Sequence, residues 1–426
     1  MSNLNVLTET SEAPGHKTYS DTVARGYYGK HVGGLFGKHD NVRTYWEDQL
    51  TRLILRPHVA RVAAKCRNAG RGVRVLDLGC GAGQGYELLT RINEKDLSME
   101  DELRFVLPSK EIGLFFGVDI SDAMVEQGRQ NYSGMPNVIF EPADLSEGLG
   151  ELKSQAPFDI YFSSYGPLSH LDTDSLKVCL GDILHHAHPG ALVVLDLMGR
   201  YSPEWPLYWS SDDRPNKMLP YSMSYMYEEE ERHSGEVEQF PIRFWTGDEV
   251  RELCRELTAH NGVAVRPLDL MDRSIFVGRH IDTREYGCPL PPLRSMVNHL
   301  YELNVRTKLE HLRVDYQPLN GHRDLDRFFA ELALCWNTIV DFTLERLQGN
   351  RIDLVDLDGW RNFPPQLQTA LMTMDRVIDS VSWIDLGDIR ANVLEPQLAY
   401  VLRRLEFTLQ RGQGCGHSLV AVLQVG

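Results

Sequence analysis

The sequence has no stretch that approaches roughly eighteen consecutive apolar residues, so none of it is expected to span a membrane. Its seven cysteines (66, 80, 179, 254, 288, 335 and 415) contain no CxxC pair and no metal-like cluster. An odd, scattered set excludes a disulfide framework and points to reduced thiols in a cytoplasmic protein. The opening MSNLNVLTETSEAPGHK lacks the apolar core of a secretory signal. Positive charge is scarce too: 44 Lys and Arg stand against 60 Asp and Glu, a net charge of −16. An acidic surface disfavours phosphate backbones and anionic lipid, so neither nucleic acid nor a membrane is expected as partner. What is present is ordinary for a globular chain, 42% apolar and 24% charged, and 426 residues are long for one domain.

Residues 1–40 read as a flexible N-terminal segment with Tyr27, Tyr28 and paired glycines, suited to close over a ligand. From Asn41 to Cys66 the apolar spacing is helical, with Pro57 expected to break it. Short apolar runs then alternate with helical segments. Strands are expected at Val73–Leu78, Leu114–Ile120, Val138–Phe140, Phe158–Ser163 and Ala191–Leu197, with a final pair over Val263–Gly278. Helices are expected at Gly85–Ile92, Ala123–Asn131, Ser175–Ala187 and Thr246–Ala259. This alternation predicts an α/β fold, a doubly wound Rossmann-like seven-stranded sheet with helices on both faces. The unit spans 41–288, with a charged insertion at 91–111 and an aromatic one at 201–240 that is expected to act as a substrate lid. Apolar stripes Leu325–Val340 and Leu398–Leu409 mark 289–412 as a C-terminal helical domain, and 413–426 ends in a strand-like run expected to return to the sheet edge.

The loop VLDLGCGAGQG, Val75 to Gly85, follows the first strand, where doubly wound sheets bind ligands. Its glycines allow positive φ and close backbone approach. Neither the dinucleotide spacing GxGxxG nor the phosphate-loop pattern GxxxxGK[ST] fits, because Gln84 or Tyr86 stands at the sixth position and no GKS or GKT follows.

This loop resembles motif I of the class I S-adenosylmethionine-dependent methyltransferases. GVDISDAM, EPADL, YFSSYGPLSHL and HPGALVVLDL resemble that superfamily's later motifs in the same order, over residues about 70–280. The resemblance implies S-adenosylmethionine as cofactor. It implies that Asp77 meets the cofactor's amino group and that Gly79, Cys80, Gly81 and Gly83 offer their backbone. Asp119 would accept from the ribose hydroxyls, which suits a carboxylate with two acceptor oxygens. Ile120, Met124, Asp144 and Leu145 would surround the adenine, and Ser163 the methionine arm.

Methyl transfer needs alignment and a dry pocket, and a base only if the nucleophile arrives protonated. His170, just past strand four, is the candidate base, and Tyr165 in the same loop the candidate to flank the reacting centre. Arg200, Tyr201, Trp205 and Arg279 are the candidate substrate contacts. His185, His186 and His188 lie at the opposite end of the sheet, so no metal is expected.

The expected activity is methyl transfer by in-line displacement to a small, apolar or aromatic metabolite, with 289–412 shaping the substrate site or pairing two copies as a homodimer. The alternatives are an NAD(P)-dependent oxidoreductase, which the glycine spacing disfavours, and a cofactor-binding protein without transferase activity.

Overall fold

The structure is a computed structural model that describes residues 15–29, 39–95, 102–210, 218–232, 237–319, 321–381 and 387–426. Parts of four predicted segments lie outside these residues: 1–14 and 30–38 of the N-terminal segment, 96–101 of the charged insertion, 211–217 and 233–236 of the aromatic one, and 320 and 382–386 of the helical domain.

α1 (His16–Ala24) and α2 (Asp48–Asn68), the latter entered through a π-turn at Arg43–Glu47, precede the sheet. Then β1 (Val73–Leu78), α3 (Gln84–Thr90), β2 (Ile112–Asp119), α4 (Asp122–Asn131), β3 (Val138–Pro142), β4 (Ile160–Phe162), α5 (Thr173–His186) and β5 (Leu192–Gly199) alternate. The order β3-β2-β1-β4-β5 is parallel throughout. Apolar alternation sends Val75, Phe115 and Val194 to one face and Leu76, Phe116 and Val193 to the other, so both faces bury a core.

After β5 come β6 (Met218–Tyr221), the one-turn α6 (Glu229–Arg232), β7 (Phe240–Trp245), α7 (Gly247–Asn261) and β8 (Val265–Arg273). α7 starts at a reciprocal cap, in which Thr246 and Glu249 each accept the other's backbone N–H. A helical stretch follows: α8 (Leu293–His299), α9 (Arg323–Leu347), α10 (Pro365–Ser380) and α11 (Glu395–Leu409). The chain closes with β9 (Ser418–Val425).

β9 does not sit at the edge. It runs antiparallel between β5 and β8, with Leu192 opposite Gln424 and Met271 opposite Val420. The reason is burial: seven of its eight residues are buried, a pattern that needs neighbours on both edges and cover on both faces. Its entry is fixed by Asp272, whose carboxylate accepts the N–H groups of Gln413, Gly414 and Cys415 at 2.9, 2.6 and 2.9 Å. The helical stretch is thus an insertion between β8 and β9. Its apolar stripe joins the sheet's own core, with Trp336 of α9 against Trp46 and Phe276 at centroid separations of 6.1 and 5.7 Å.

Three further expectations are corrected. The sheet has nine strands, because the β6–β7 hairpin pairs with Met198 and Gly199 at the end of β5, beyond the short β4. The run 263–278 forms one strand; Ile275, Phe276 and Val277 are buried in a turn, which an apolar run cannot distinguish from a strand. Pro57 lies inside α2 on its exposed side, while Ile54, Leu55, His58 and Val59 hold the helix to the core.

Candidate active site

The loop after β1 is held open by three left-handed glycines, with φ of 67° at Gly79, 52° at Gly81 and 90° at Gly83. A Cβ at Gly79 would stand 2.4 Å from Cβ of Pro167, so the loop after β4 rests directly on it. The Cys80 N–H donates to the Val118 carbonyl at 2.9 Å and ties the loop to β2. Asp119 then joins loop to helix: Oδ2 accepts from the Gly81 N–H at 2.8 Å and Oδ1 from the Ser121 N–H at 2.9 Å.

Asp77 is only 1% exposed, and neither of its carboxylate oxygens has a hydrogen-bond partner among the described residues. Burial, reinforced by the charge of Asp119, pushes its carboxyl well above the usual range. A buried acid without a donor is costly unless a ligand completes it. An ammonium group against Asp77, with polar groups lying along the glycine cradle, does so; the residues present fit a zwitterionic amino-acid arm.

Around this cradle, Ile120 is half-exposed beside Asp119, and Met124 is buried against Ala82 and Tyr28. Asp144 is exposed and caps a short turn by accepting the Ser146 N–H at 2.8 Å, while Leu145 is buried in the core. Ser163 is buried, with its N–H on the Val194 carbonyl and its Oγ without a partner among the described residues.

Tyr165 has a left-handed backbone, φ 69°, held by its N–H on Asp196 Oδ2 at 2.7 Å. Its hydroxyl donates to Asp48 at 2.8 Å and the Arg43 guanidinium covers its ring at 3.3 Å, so this side chain is locked to the start of α2. His170 stacks on Phe240 at 5.1 Å, and its Nε2 lies 2.9 Å from the Tyr19 hydroxyl. Burial lowers its pKa to about 4, against the opposing charge of Glu238, so the ring is neutral near pH 7.

The predicted substrate contacts separate. Arg200 is buried at the end of β5, with its N–H on the Trp245 carbonyl. Tyr201 packs on Trp209 and His322, with ring separations of 6.0 and 6.2 Å. Arg279 pairs with Glu47 at 2.9 Å and lies over the Tyr225 ring. Trp205 is wholly buried, its Nε1 donates to the Gly199 carbonyl, and Phe244 and Tyr286 pack against it.

Sequence reasoning expected the N-terminal segment with Tyr28 to close over a ligand, but missed Tyr19 and the groups that hold that segment, Asn131, Glu231 and Glu238. Tyr28 covers Ala82 and Met124, and Asn131 donates to both the Tyr28 and Ala82 carbonyls at 3.1 Å. α1 is clasped by the aromatic insertion. Glu238 accepts the N–H groups of Gly15 and Thr18, each at 2.9 Å, and Glu231 pairs with Arg25 at 3.0 Å. Carboxylates suit the unsatisfied donors of a helix N-terminus. Glu47, between Arg279 and Arg294, was missed as well; the available signal was a carboxylate on the apolar stripe of a helix.

Among the described residues no group of His, Cys, Asp or Glu is arranged to hold a metal ion, and no helix is long and apolar enough to cross a membrane. The histidines 185, 186 and 188 bond instead to the Gly181 carbonyl, Tyr161 and Asp159.

A doubly wound sheet with a glycine cradle, a buried acid on β1 and an anchored acid on β2 forms a site that fits a nucleoside cofactor with an amino-acid arm. Residues 69–205 match the family described as a methyltransferase domain. The match takes in the glycine cradle, Asp77, Asp119 and the loop after β4, and stops before the helical stretch. Among solved structures it is similar to a methyltransferase in complex with its activator from Haloferax volcanii, at 19% identity and TM-score 0.30, over 48% of this chain and 66% of that one. A magnesium protoporphyrin IX methyltransferase from Synechocystis gives 16% identity and TM-score 0.32, over 60% of this chain and 89% of that one. An S-adenosylmethionine-dependent methyltransferase from Clostridium acetobutylicum gives 13% and 0.33, over 60% and 89%. No curated protein matches the chain.

Proposed function

We propose that the protein is an enzyme that transfers a methyl group from S-adenosylmethionine to a small apolar or aromatic metabolite by in-line displacement. The observation that carries this reading is the cover over the cofactor cradle. Tyr19 and Tyr28 come from the N-terminal elements, Tyr165 from the loop after β4, and Tyr225 from the aromatic insertion. Tyr19 packs against both the Tyr28–Ala82–Met124 cluster and the aromatic cluster of the insertion, so the N-terminal elements and the insertion meet over the cradle. A cover of tyrosines suits a small acceptor with apolar faces and polar tips.

In this reading Asp77 binds the cofactor's amino group, and the backbone of Gly79, Cys80, Gly81 and Gly83 lies along the methionine arm beside Ser163. Asp119 binds the ribose, and Ile120, Met124, Asp144 and Leu145 surround the adenine. The cofactor supplies an electrophilic methyl group. The chain supplies alignment and exclusion of water: Tyr165, fixed by Asp196, Asp48 and Arg43, forms the wall beside the reacting centre. Arg200, Tyr201 and Arg279 orient the acceptor, and 289–412 is an accessory layer that shapes this side or joins two copies as a homodimer. All seven cysteines are free and buried, which supports a reducing, cytoplasmic setting.

The test is calorimetric titration with S-adenosylhomocysteine and with NAD, on the native protein and on Asp119→Ala, followed by a panel of phenols, alcohols and amines with radiolabelled S-adenosylmethionine. Micromolar binding of the first ligand only, lost in the variant, and label transfer to a panel member are expected. Binding of NAD alone would overturn the reading. Tight S-adenosylhomocysteine binding without transfer to any acceptor would favour a cofactor-binding protein.

A further inference from the structure

The N-terminal helix does more than cover the site: it carries a hydroxyl into it. Tyr19 lies on α1, far from motif I in sequence, yet its oxygen is 2.9 Å from Nε2 of His170. Its ring packs against both the aromatic cluster of the insertion and the Tyr28–Ala82–Met124 cluster over the glycine loop. Tyr19 and His170 are each only partly buried, so the pair borders accessible space rather than solid core. We propose that Tyr19 and His170 act as one proton-accepting pair for methyl transfer, Tyr19 facing the acceptor, and that the acceptor's nucleophile arrives protonated, as a hydroxyl or amine N–H. This rests on the methyltransferase reading above.

The direction of the hydrogen bond follows from acidity. A phenol is a stronger acid than a neutral imidazole N–H, and an imidazole nitrogen is a stronger base than a phenol oxygen, so Tyr19 donates and His170 accepts at Nε2. That makes His170 the Nδ1–H tautomer and leaves the lone pairs of Tyr19 for the acceptor. The charged and titratable groups acting on the pair are Glu238, which raises His170, and Asp119, Tyr225 and Glu238, which add to burial in keeping Tyr19 protonated.

The step balances. The acceptor's lone pair forms the bond to the methyl carbon as the carbon–sulfur pair returns to sulfur. The acceptor's proton passes to the Tyr19 oxygen, and the Tyr19 proton passes to Nε2. One positive charge leaves the sulfonium and one appears on His170, so the site's net charge is unchanged. The low basicity of the ring keeps His170 unprotonated and ready before the methyl group moves.

The experiment is a two-bond proton–nitrogen correlation on protein with nitrogen-15 histidine, free and saturated with S-adenosylhomocysteine, for the native chain and Tyr19→Phe. At pH 7 the native His170 is expected to show bare Nε2 and protonated Nδ1, and to stay neutral down to about pH 5. Tyr19→Phe is expected to move the Nε2 shift while His170 stays neutral. With an acceptor from the panel, Tyr19→Phe and His170→Gln are each expected to lower kcat about 10²-fold, and the double variant no further. A protonated Nε2 in the native protein, or an Nε2 shift indifferent to Tyr19→Phe, overturns the pair. Should Tyr19→Phe fail to fold, the native tautomer alone decides. Absence of S-adenosylhomocysteine binding by the native chain would instead sink the methyltransferase reading, so the two failures are distinct.

Discussion

Gly85 lies so close to Asp77 that a Cβ on it would stand 2.3 Å from the carboxylate oxygen Oδ2. The first turn of α3 therefore covers the acid, shutting out water without offering it a donor. Burial in that position raises the carboxyl's pKa, whereas a cofactor ammonium favours its charged form. Binding of S-adenosylmethionine near pH 7 is expected to release a proton, read as a dependence of the calorimetric heat on the buffer's ionisation enthalpy. Heats independent of buffer would show that Asp77 is already ionised. Asp77→Asn is expected to weaken S-adenosylhomocysteine by about 10–100-fold, the worth of a hydrogen bond between charged groups, while leaving the free protein no less stable.

Gly79 combines a left-handed φ of 67° with the 2.4 Å approach of Pro167. Gly79→Ala is expected to cost about 2–4 kcal/mol in urea unfolding, because it adds backbone strain to overpacking. It should also remove cofactor binding, since the loop after β4 must move off the cradle. Retention of native affinity in a folded Gly79→Ala variant would separate this packing from the site.

Arg294 pairs with Asp40 through Nε at 2.7 Å and with Glu47 through Nη1 at 2.7 Å, all three side chains being buried. Burial alone would raise the Glu47 carboxyl, but Arg279, Arg294, Arg273 and Arg43 hold it well below the usual range. A depressed carboxylate contributes stability above its unfolded pKa of about 4.3, and that contribution is lost as pH falls. Arg294→Met is expected to cost about 3–5 kcal/mol at pH 7, and the difference from the native protein should narrow on acidification. Denaturant midpoints at pH 7 and pH 4 read both effects; a constant gap would show that Glu47 does not carry the linkage.

Glu406 gives the opposite slope. It is wholly buried on α11, accepts the Ile275 N–H at 2.7 Å, and burial pushes its carboxyl up to about 8. An acid raised in the folded state contributes fully below its unfolded pKa of about 4.3 and loses that contribution as pH rises towards 8. Glu406→Gln keeps an acceptor for Ile275 and cannot ionise. It is expected to be more stable than the native chain above pH 8 and to flatten the decline between pH 5 and 8, with Asp272, also raised by burial, supplying what slope remains. A native-like slope in the variant would move the linkage elsewhere.

How much of this was legible in the chain differs from residue to residue. VLDLGCGAGQG and Asp119 were readable because strand, glycine turn and acid are local: β1, the loop and β2 set their own geometry within a few residues of each motif. The same holds for α9, whose 3.6-residue stripe faces one core. β9 read as a strand from its composition, but not as an interior one. Whether it ends at an edge or between β5 and β8 depends on what occupies the neighbouring edge, across a helical insertion of more than a hundred residues.

Local pattern thus determined the strands β1 to β5, the cradle and the acid that anchors it, because these depend on backbone propensity and side-chain period along one short segment. The tertiary structure alone decided the rest of the site. Tyr19 meets His170, Glu238 caps α1, and Arg294 joins Asp40 to Glu47 across separations of 151, 223 and more than 240 residues. Such pairs leave no periodic trace, since each is selected by burial and charge once the layers have packed, not by the residues beside it in the chain.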